Sequence, residues 1–180
     1  THGELLKADV AVVSDTSQYG DGIPAITCGL RGIVAAEVCL KGPSKDLHSG
    51  IYGGSIANPV NALAKMCGKL VGDDGRIQIP GFYDDVVELT PLELKQYAAL
   101  PFEESHFLKE VGSSATFGET GYTTLQRRTA RPTCDINGIV GGYTGEGSKT
   151  VIPAQASAKV SFRLVEGQEP SRIRKAFRDF

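Results

Sequence analysis

No stretch of this chain is long and apolar enough to cross a bilayer. The longest apolar runs, such as Ile33–Leu40, stop far short of the roughly 20 residues a membrane helix needs. Thr1–Val10 carries no basic head followed by an apolar run, so no targeting segment is read there and a cytoplasmic protein is expected. Neither sign of charge dominates: 19 basic and 21 acidic residues are spread along the sequence, for a net charge of −2. Such a balance offers no polyanion-binding surface, which argues against nucleic acid as a partner. Cys28, Cys39, Cys67 and Cys134 form no C-x-x-C pair, and most sit among apolar neighbours. That pattern reads as reduced core thiols rather than disulfides or a thiolate metal site. Internal repeats and low-complexity segments are missing too. What the chain does have is 41% hydrophobic content over 180 residues, enough for the core of one domain with room for a fragment of another.

Ala8–Asp15 is a short apolar run ending in polar residues, the pattern of a buried strand that delivers its last carboxylate to a sheet edge. Ala25–Leu40 reads as paired strands, the second with Val34, Ala36, Val38 and Leu40 on one face. Asn58 is placed to cap a helix that has Pro59 at its first position. In that helix Val60, Leu63, Ala64, Cys67, Leu70 and Val71 recur at helical spacing, and Gly72 ends the pattern. Asp73–Gly75 is a turn. Thr90 and Glu93 make a capping box for a second helix over roughly Pro91–Leu100, and a third is expected near Glu103–Val111. The Gly- and Thr-rich stretch that follows, to about Arg131, reads as a long loop. Ala154–Val165 alternates cleanly: Ala156, Ala158, Val160, Phe162 and Leu164 form one face, and Ser157, Lys159, Ser161 and Arg163 belong to a wet one. Pro170 opens a last helix with Ile173, Ala176, Phe177 and Phe180 at helical spacing, a pattern still running at the final residue. Strands and helices mix without a regular βαβ rhythm. The expected class is therefore α+β, an antiparallel sheet with helices packed on one face and the other face left for solvent or a partner.

Six segments carry more specific information: Val13–Asp15, Pro24–Gly32, Asp46–Gly54 (DLHSGIYGG), Asn137–Gly142, Lys149–Pro153 (KTVIP) and Ser161–Leu164 (SFRL). In this order and spacing they resemble the lid, or dimerisation, domain of the M20 metallopeptidases, specifically the carnosinase-like dipeptidase branch. The resemblance implies a ferredoxin-like two-layer sandwich, inserted into a catalytic domain that binds two divalent metal ions, zinc or alternatively manganese. It also implies a homodimer that pairs through the lid domain, acting on dipeptides or related N-acyl amino acids. On this reading residues 1–20 are a fragment of the catalytic domain, and residues 21–180 are the lid domain, truncated within its C-terminal helix.

Matched residue by residue, Asp15 corresponds to a metal ligand at a strand end. A carboxylate suits that place because it supplies a hard oxygen donor and balances charge; without the resemblance the residue reads as a loop-capping aspartate. His48 corresponds to a histidine that reaches across the dimer and stabilises the oxyanion formed when water attacks the amide. Without the motif it would be a turn-capping histidine. Arg163 corresponds to the residue that holds the substrate's terminal carboxylate, for which the planar guanidinium fork is suited; the alternative is a solvated strand charge. Thr150 corresponds to a substrate hydrogen-bonding residue, and Asn137 lies where a polar side chain could act likewise.

Departures from the family pattern are as informative. The upstream His-x-Asp, the bridging Asp, the Glu-Glu pair that includes the general base and the downstream His are missing from this sequence, so the chain alone is expected to be inactive and to bind no metal. A different class of function fits the residues without the resemblance: a self-contained dimerisation module that senses a small anion through Arg163, Lys159 and the glycines between 141 and 147.

Overall fold

A computed structural model describes residues 2–12 and 18–180. The chain divides into two compact units, Thr1–Leu30 and Arg31–Phe180. Within the first, the Leu6 amide donates to the His2 carbonyl at 3.0 Å, and Gly20 and Ile23 form an isolated antiparallel bridge. Ala8–Val12 is not a strand, and Val10 and Val12 are exposed. A strand exists through its ladder neighbours, and among the described residues nothing pairs with this run. The rest of the expected strand, Val13–Asp15, lies outside the described residues.

The second unit contains, in chain order, β1 (Gly32–Lys41), β2 (Leu47–His48), α1 (Ser49–Tyr52), α2 (Pro59–Cys67), α3 (Pro91–Ala99), α4 (Glu104–Val111), α5 (Thr124–Thr129), β3 (Thr133–Gly141), β4 (Val151–Ile152), β5 (Gln155–Leu164) and α6 (Pro170–Asp179). β5 is central. It pairs antiparallel with β1 from Gly32↔Leu164 to Lys41↔Gln155 and with β3 from Thr133↔Arg163 to Gly141↔Ala156. Its even-numbered residues are buried, as the alternation predicts. Ala156 and Ala158 pack with Leu63 of α2, while Val160, Phe162 and Leu164 pack with Val34 of β1, Ile173 of α6 and the loop residues Leu70, Ile77, Ile79 and Phe82. The result is the expected α+β two-layer arrangement, with α2 and α6 on one face of the sheet.

Local signals set most of the boundaries. Asn58 Oδ1 accepts the Val60 amide at 2.9 Å, with Pro59 next to it where no amide hydrogen is needed. The helix stops at Gly68 rather than Gly72, because the amides of Lys69 and Leu70 turn to carbonyls three residues back. Leu70 then enters the core from the connecting loop. The Thr90–Glu93 box forms as expected. α5 corrects the long-loop expectation: Thr123 and Gln126 make a second capping box within the Gly- and Thr-rich stretch. The expected pair of strands over Ala25–Leu40 is one strand, β1, since Ala25–Arg31 finds no ladder partner among the described residues. Core thiols also need correction, because Cys28 and Cys39 are exposed and Cys67 and Cys134 half-buried. Cys39 lies on the outward side of edge strand β1.

A buried ion pair ties the segment before β3 to the core. Arg131, 2% exposed, donates from Nε and Nη2 to the two oxygens of Glu119, 6% exposed, at 2.8 and 2.9 Å. Arg76 adds a bond to Glu119 at 2.8 Å, and Arg131 also reaches Glu88 at 2.9 Å. The Arg131 guanidinium lies over the Tyr122 ring, 4.1 Å from its centroid. Burial opposes the arginine's charge, but the bonds and charge of Glu119 outweigh it and hold its pKa above the ordinary value. Close approach at this knot requires Gly75: with φ at 75°, it sits where a Cβ would lie 2.3 Å from the Gly118 carbonyl oxygen.

Two outcomes follow from this packing. Glu119→Ala leaves Arg131 buried without its main partner, so the unfolding free energy should fall by about 3–5 kcal/mol, read from chemical denaturation; a loss under about 1 kcal/mol would show the knot to be solvated. Burial, with Asp135 nearby, pushes the Cys134 thiol up to about 12. At pH 8 iodoacetamide should therefore modify Cys28 and Cys39 while sparing Cys134 in the folded chain, as mapped by peptide mass spectrometry; labelling of Cys134 at a matching rate would contradict its burial.

Candidate functional site

The site begins with a ribbon too short to stand alone. β2 and β4 are two residues each, paired Leu47↔Ile152 and His48↔Val151, and the Ser49 amide extends the ladder to the Thr150 carbonyl at 3.1 Å. Buried Ile152 anchors it, while His48 and Thr150 are exposed. This pairing joins residues 102 apart in sequence, and His48 Nε2 lies 3.2 Å from Thr150 Oγ1. At the other ring nitrogen, Nδ1 accepts the Gly50 amide at 3.0 Å. With Nδ1 an acceptor, the neutral imidazole carries its proton on Nε2 and donates to the threonine oxygen. The threonine hydroxyl hydrogen remains available. In this arrangement the hydroxyl is the free donor at the tip of the ribbon, and the imidazole N–H reaches a ligand oxygen that is or becomes negative by giving up Thr150 Oγ1.

Arg163 occupies a different place. It projects from the exposed face of β5, opposite Ile33 on one side and Thr133 on the other. Arg31 lies close by: burial first, then the neighbouring Arg163 charge, lowers the Arg31 pKa, with Asp135 opposing. Arg31 is oriented by bonds from Nη1 to the carbonyls of Arg131 at 3.2 Å and Arg127 at 3.5 Å. Asp135 is itself held by the Thr133 hydroxyl at 3.1 Å. Two adjacent guanidiniums with one nearby carboxylate leave a positive spot that favours a carboxylate ligand. No role was read for Arg31 from the sequence, although it falls within the Pro24–Gly32 segment; its signal is spatial, since the fold sets it beside Arg163.

The fold does not bring all the candidates into one pocket. Arg163 is eight residues along β5 from Gln155, where the strand leaves the ribbon, a run of roughly 26 Å at strand spacing. An extended dipeptide spans about 7 Å, far less than that run of strand. Asn137 is the extra residue of a β-bulge, where the register skips from Ile136↔Val160 to Gly138↔Lys159, and it is exposed midway along edge strand β3. Bulges re-aim side chains in this way. The anion-sensing alternative fares poorly on the same geometry, because Arg163 and the glycines from 141 onward are at opposite ends of β5. A cavity of about 540 Å³ lies between β1, α2 and α6, lined by Met66, Cys67 and Phe177, and includes none of the candidate residues.

Asp15 lies outside the described residues. Among the described residues, no group of three or more His, Cys, Asp or Glu side chains could hold a metal ion. These residues alone do not fit a metal centre, and among the described residues no helix is long and apolar enough to cross a membrane.

The two-layer α+β fold and the order of the sequence segments match a known family. The chain belongs to the M20 peptidase dimerisation domain family, whose model matches residues 28–180. It is 37% identical over 173 residues to the Cys-Gly metallodipeptidase dug1 of Schizosaccharomyces pombe, covering 96% of this chain and 36% of that protein. Human Beta-Ala-His dipeptidase is 34% identical over 167 residues, covering 93% of this chain and 33% of that protein. Among solved structures, the M20 family metallo-carboxypeptidase Sso-CP2 from Sulfolobus solfataricus superposes with a TM-score of 0.84 at 34% identity, covering 99% of this chain and 46% of that one. The chain therefore spans about a third of the length of the two dipeptidases.

Proposed function

We propose that this chain is the lid and dimerisation domain of a homodimeric, metal-dependent peptidase that hydrolyses dipeptides or related N-acyl amino acids. The observation that carries the reading is the His48–Thr150 pair: an imidazole and a hydroxyl, hydrogen-bonded to each other across 102 residues, on the exposed tip of a domain in the peptidase dimerisation family. Exposed, such donors gain little over water; they become strong where a second surface closes over them and excludes solvent. A partner subunit's active site supplies that surface. His48 then turns its Nε2–H from Thr150 to the peptide carbonyl oxygen as negative charge develops there, and the Thr150 hydroxyl hydrogen-bonds the same substrate. Arg163 holds the terminal carboxylate of a substrate in the other site of the dimer, and Asn137 offers a polar contact on that face. The separation of roughly 26 Å along β5 supports this division of labour between two sites.

In this reading residues 1–20 belong with the catalytic domain and 21–180 with the lid, and Asp15 contributes one ligand to a pair of divalent ions, zinc or alternatively manganese. The remaining ligands and the general base lie outside this chain, so the chain alone neither binds metal nor turns over substrate. Its four free thiols support a reducing, cytoplasmic setting.

The test uses the full-length protein, zinc or manganese, and a dipeptide panel that includes Cys-Gly and β-Ala-His, the substrates named for the relatives. His48→Ala should lower kcat by about 10²- to 10³-fold with metal content unchanged, and Arg163→Ala should act mainly by raising KM. Mixing His48→Ala subunits with subunits that lack the general base should recover activity in the hybrid dimer. Wild-type turnover in His48→Ala would reduce His48 to a turn residue and overturn the reading.

A further inference from the structure

We propose that Asp46 and Gly50 are the positioning residues of the His48–Thr150 pair, Asp46 by fixing the ribbon and Gly50 by fixing the proton on the imidazole. The proposal rests on the functional reading above. A ladder of two residues per strand is marginal in water, yet the spacing of the two donors depends on it. Asp46 lies two residues before His48, and its Oδ1 accepts the Ala154 amide, four residues beyond Thr150, at 2.9 Å. The Ala154 carbonyl accepts the Gly42 amide at 2.8 Å. Both bonds of this one peptide residue clamp the base of the ribbon to the loop leading out of β1, so a carboxylate outside the donor pair sets where His48 and Thr150 stand relative to each other.

Gly50 acts on the ring itself. Its amide reaches Nδ1 because no side chain stands in the way: a Cβ at this position would lie 2.8 Å from His48 Cε1 and 3.1 Å from Nδ1. Any side chain pushes the imidazole off the amide. Once that acceptor role at Nδ1 is lost, nothing on the main chain distinguishes the two neutral tautomers, and part of the population moves its proton away from Thr150.

The experiment compares Asp46→Ala, Asp46→Asn, Gly50→Ala and His48→Ala in the full-length enzyme, with metal content and dimer mass recorded and ¹⁵N-histidine spectra read for the His48 ring. Asp46→Ala should lose about tenfold to a hundredfold in kcat, as expected for a donor displaced by about 1 Å, with KM within about twofold. Asp46→Asn keeps an acceptor oxygen for Ala154 and should stay within about threefold of wild type in kcat. Gly50→Ala, an arm independent of Asp46 should Asp46→Ala fail to fold, should lose kcat similarly and turn the ring spectrum from the Nε2–H form into a tautomer mixture. A wild-type ring in the Nδ1–H form, or unchanged kcat in both Asp46→Ala and Gly50→Ala beside an impaired His48→Ala, would overturn the positioning role. Full activity in His48→Ala would instead overturn the functional reading on which it rests, while an Nε2–H ring lost in Gly50→Ala would still support the geometry.

Discussion

Everything in the larger unit depends on β5 being covered on one side and bare on the other. Its even-numbered residues close against α2, α6 and the Leu70–Phe82 loop, with Phe162 and Val160 at or near zero exposure. Slipping the register by one residue would exchange that face for Ser157, Lys159, Ser161 and Arg163, so burial fixes the pairing with both neighbours. Fixing the register fixes the site. Arg163 must project outward between Ile33 and Thr133, and the turn before Gln155 must send β4 toward β2, which puts Thr150 beside His48.

The segment between β1 and β3 is held to this frame by different physics. Hydrophobic burial secures its first half through Leu63, Ile77, Ile79 and Phe82. The later part, from Glu119 to Arg131, is secured by charge, with a forked pair between them and Arg76, Glu88 and Tyr122 satisfying what remains. A buried pair of this kind is costly to desolvate and becomes worthwhile only when its geometry and remaining hydrogen bonds are complete. Among the described residues, the buried side-chain nitrogens and oxygens all have partners. One consequence reaches the site: the Arg127 and Arg131 carbonyls, at and just past the end of α5, orient Arg31 next to Arg163.

At the ribbon tip, function and stability pull apart. His48 and Thr150 are exposed, contribute little to the fold, and are aligned by main-chain bonds and one carboxylate rather than by packing. Donors of that kind are preorganised but weak in water, which suits a group that becomes effective when a second surface covers it. Arg163 lies roughly 26 Å along β5 from the end of that strand nearest the ribbon.

Much of the fold was legible in the sequence where one physical signal dominates a short window. The β5 alternation, the Asn58 and Thr90 caps and the amphipathic α6 are local, and the structure keeps them. β3 was not legible as a strand because the bulge at Asn137 places Ile136 and Ile139 three apart on the same side of the sheet, breaking the period of two, and because edge-strand residues stay half-exposed. α5 hid in a Gly- and Thr-rich stretch, although Thr123 and Gln126 were a signal that could have found it. The chain's own residues also determined the chemical types at the site: an imidazole, a hydroxyl, a guanidinium and an amide in motifs of a known family. Tertiary structure decided their company. That His48 faces Thr150, that Gly50 sets the imidazole proton, and that Arg31 stands beside Arg163 all depend on pairing between segments far apart in sequence, and no local pattern encodes which distant strand a residue will face.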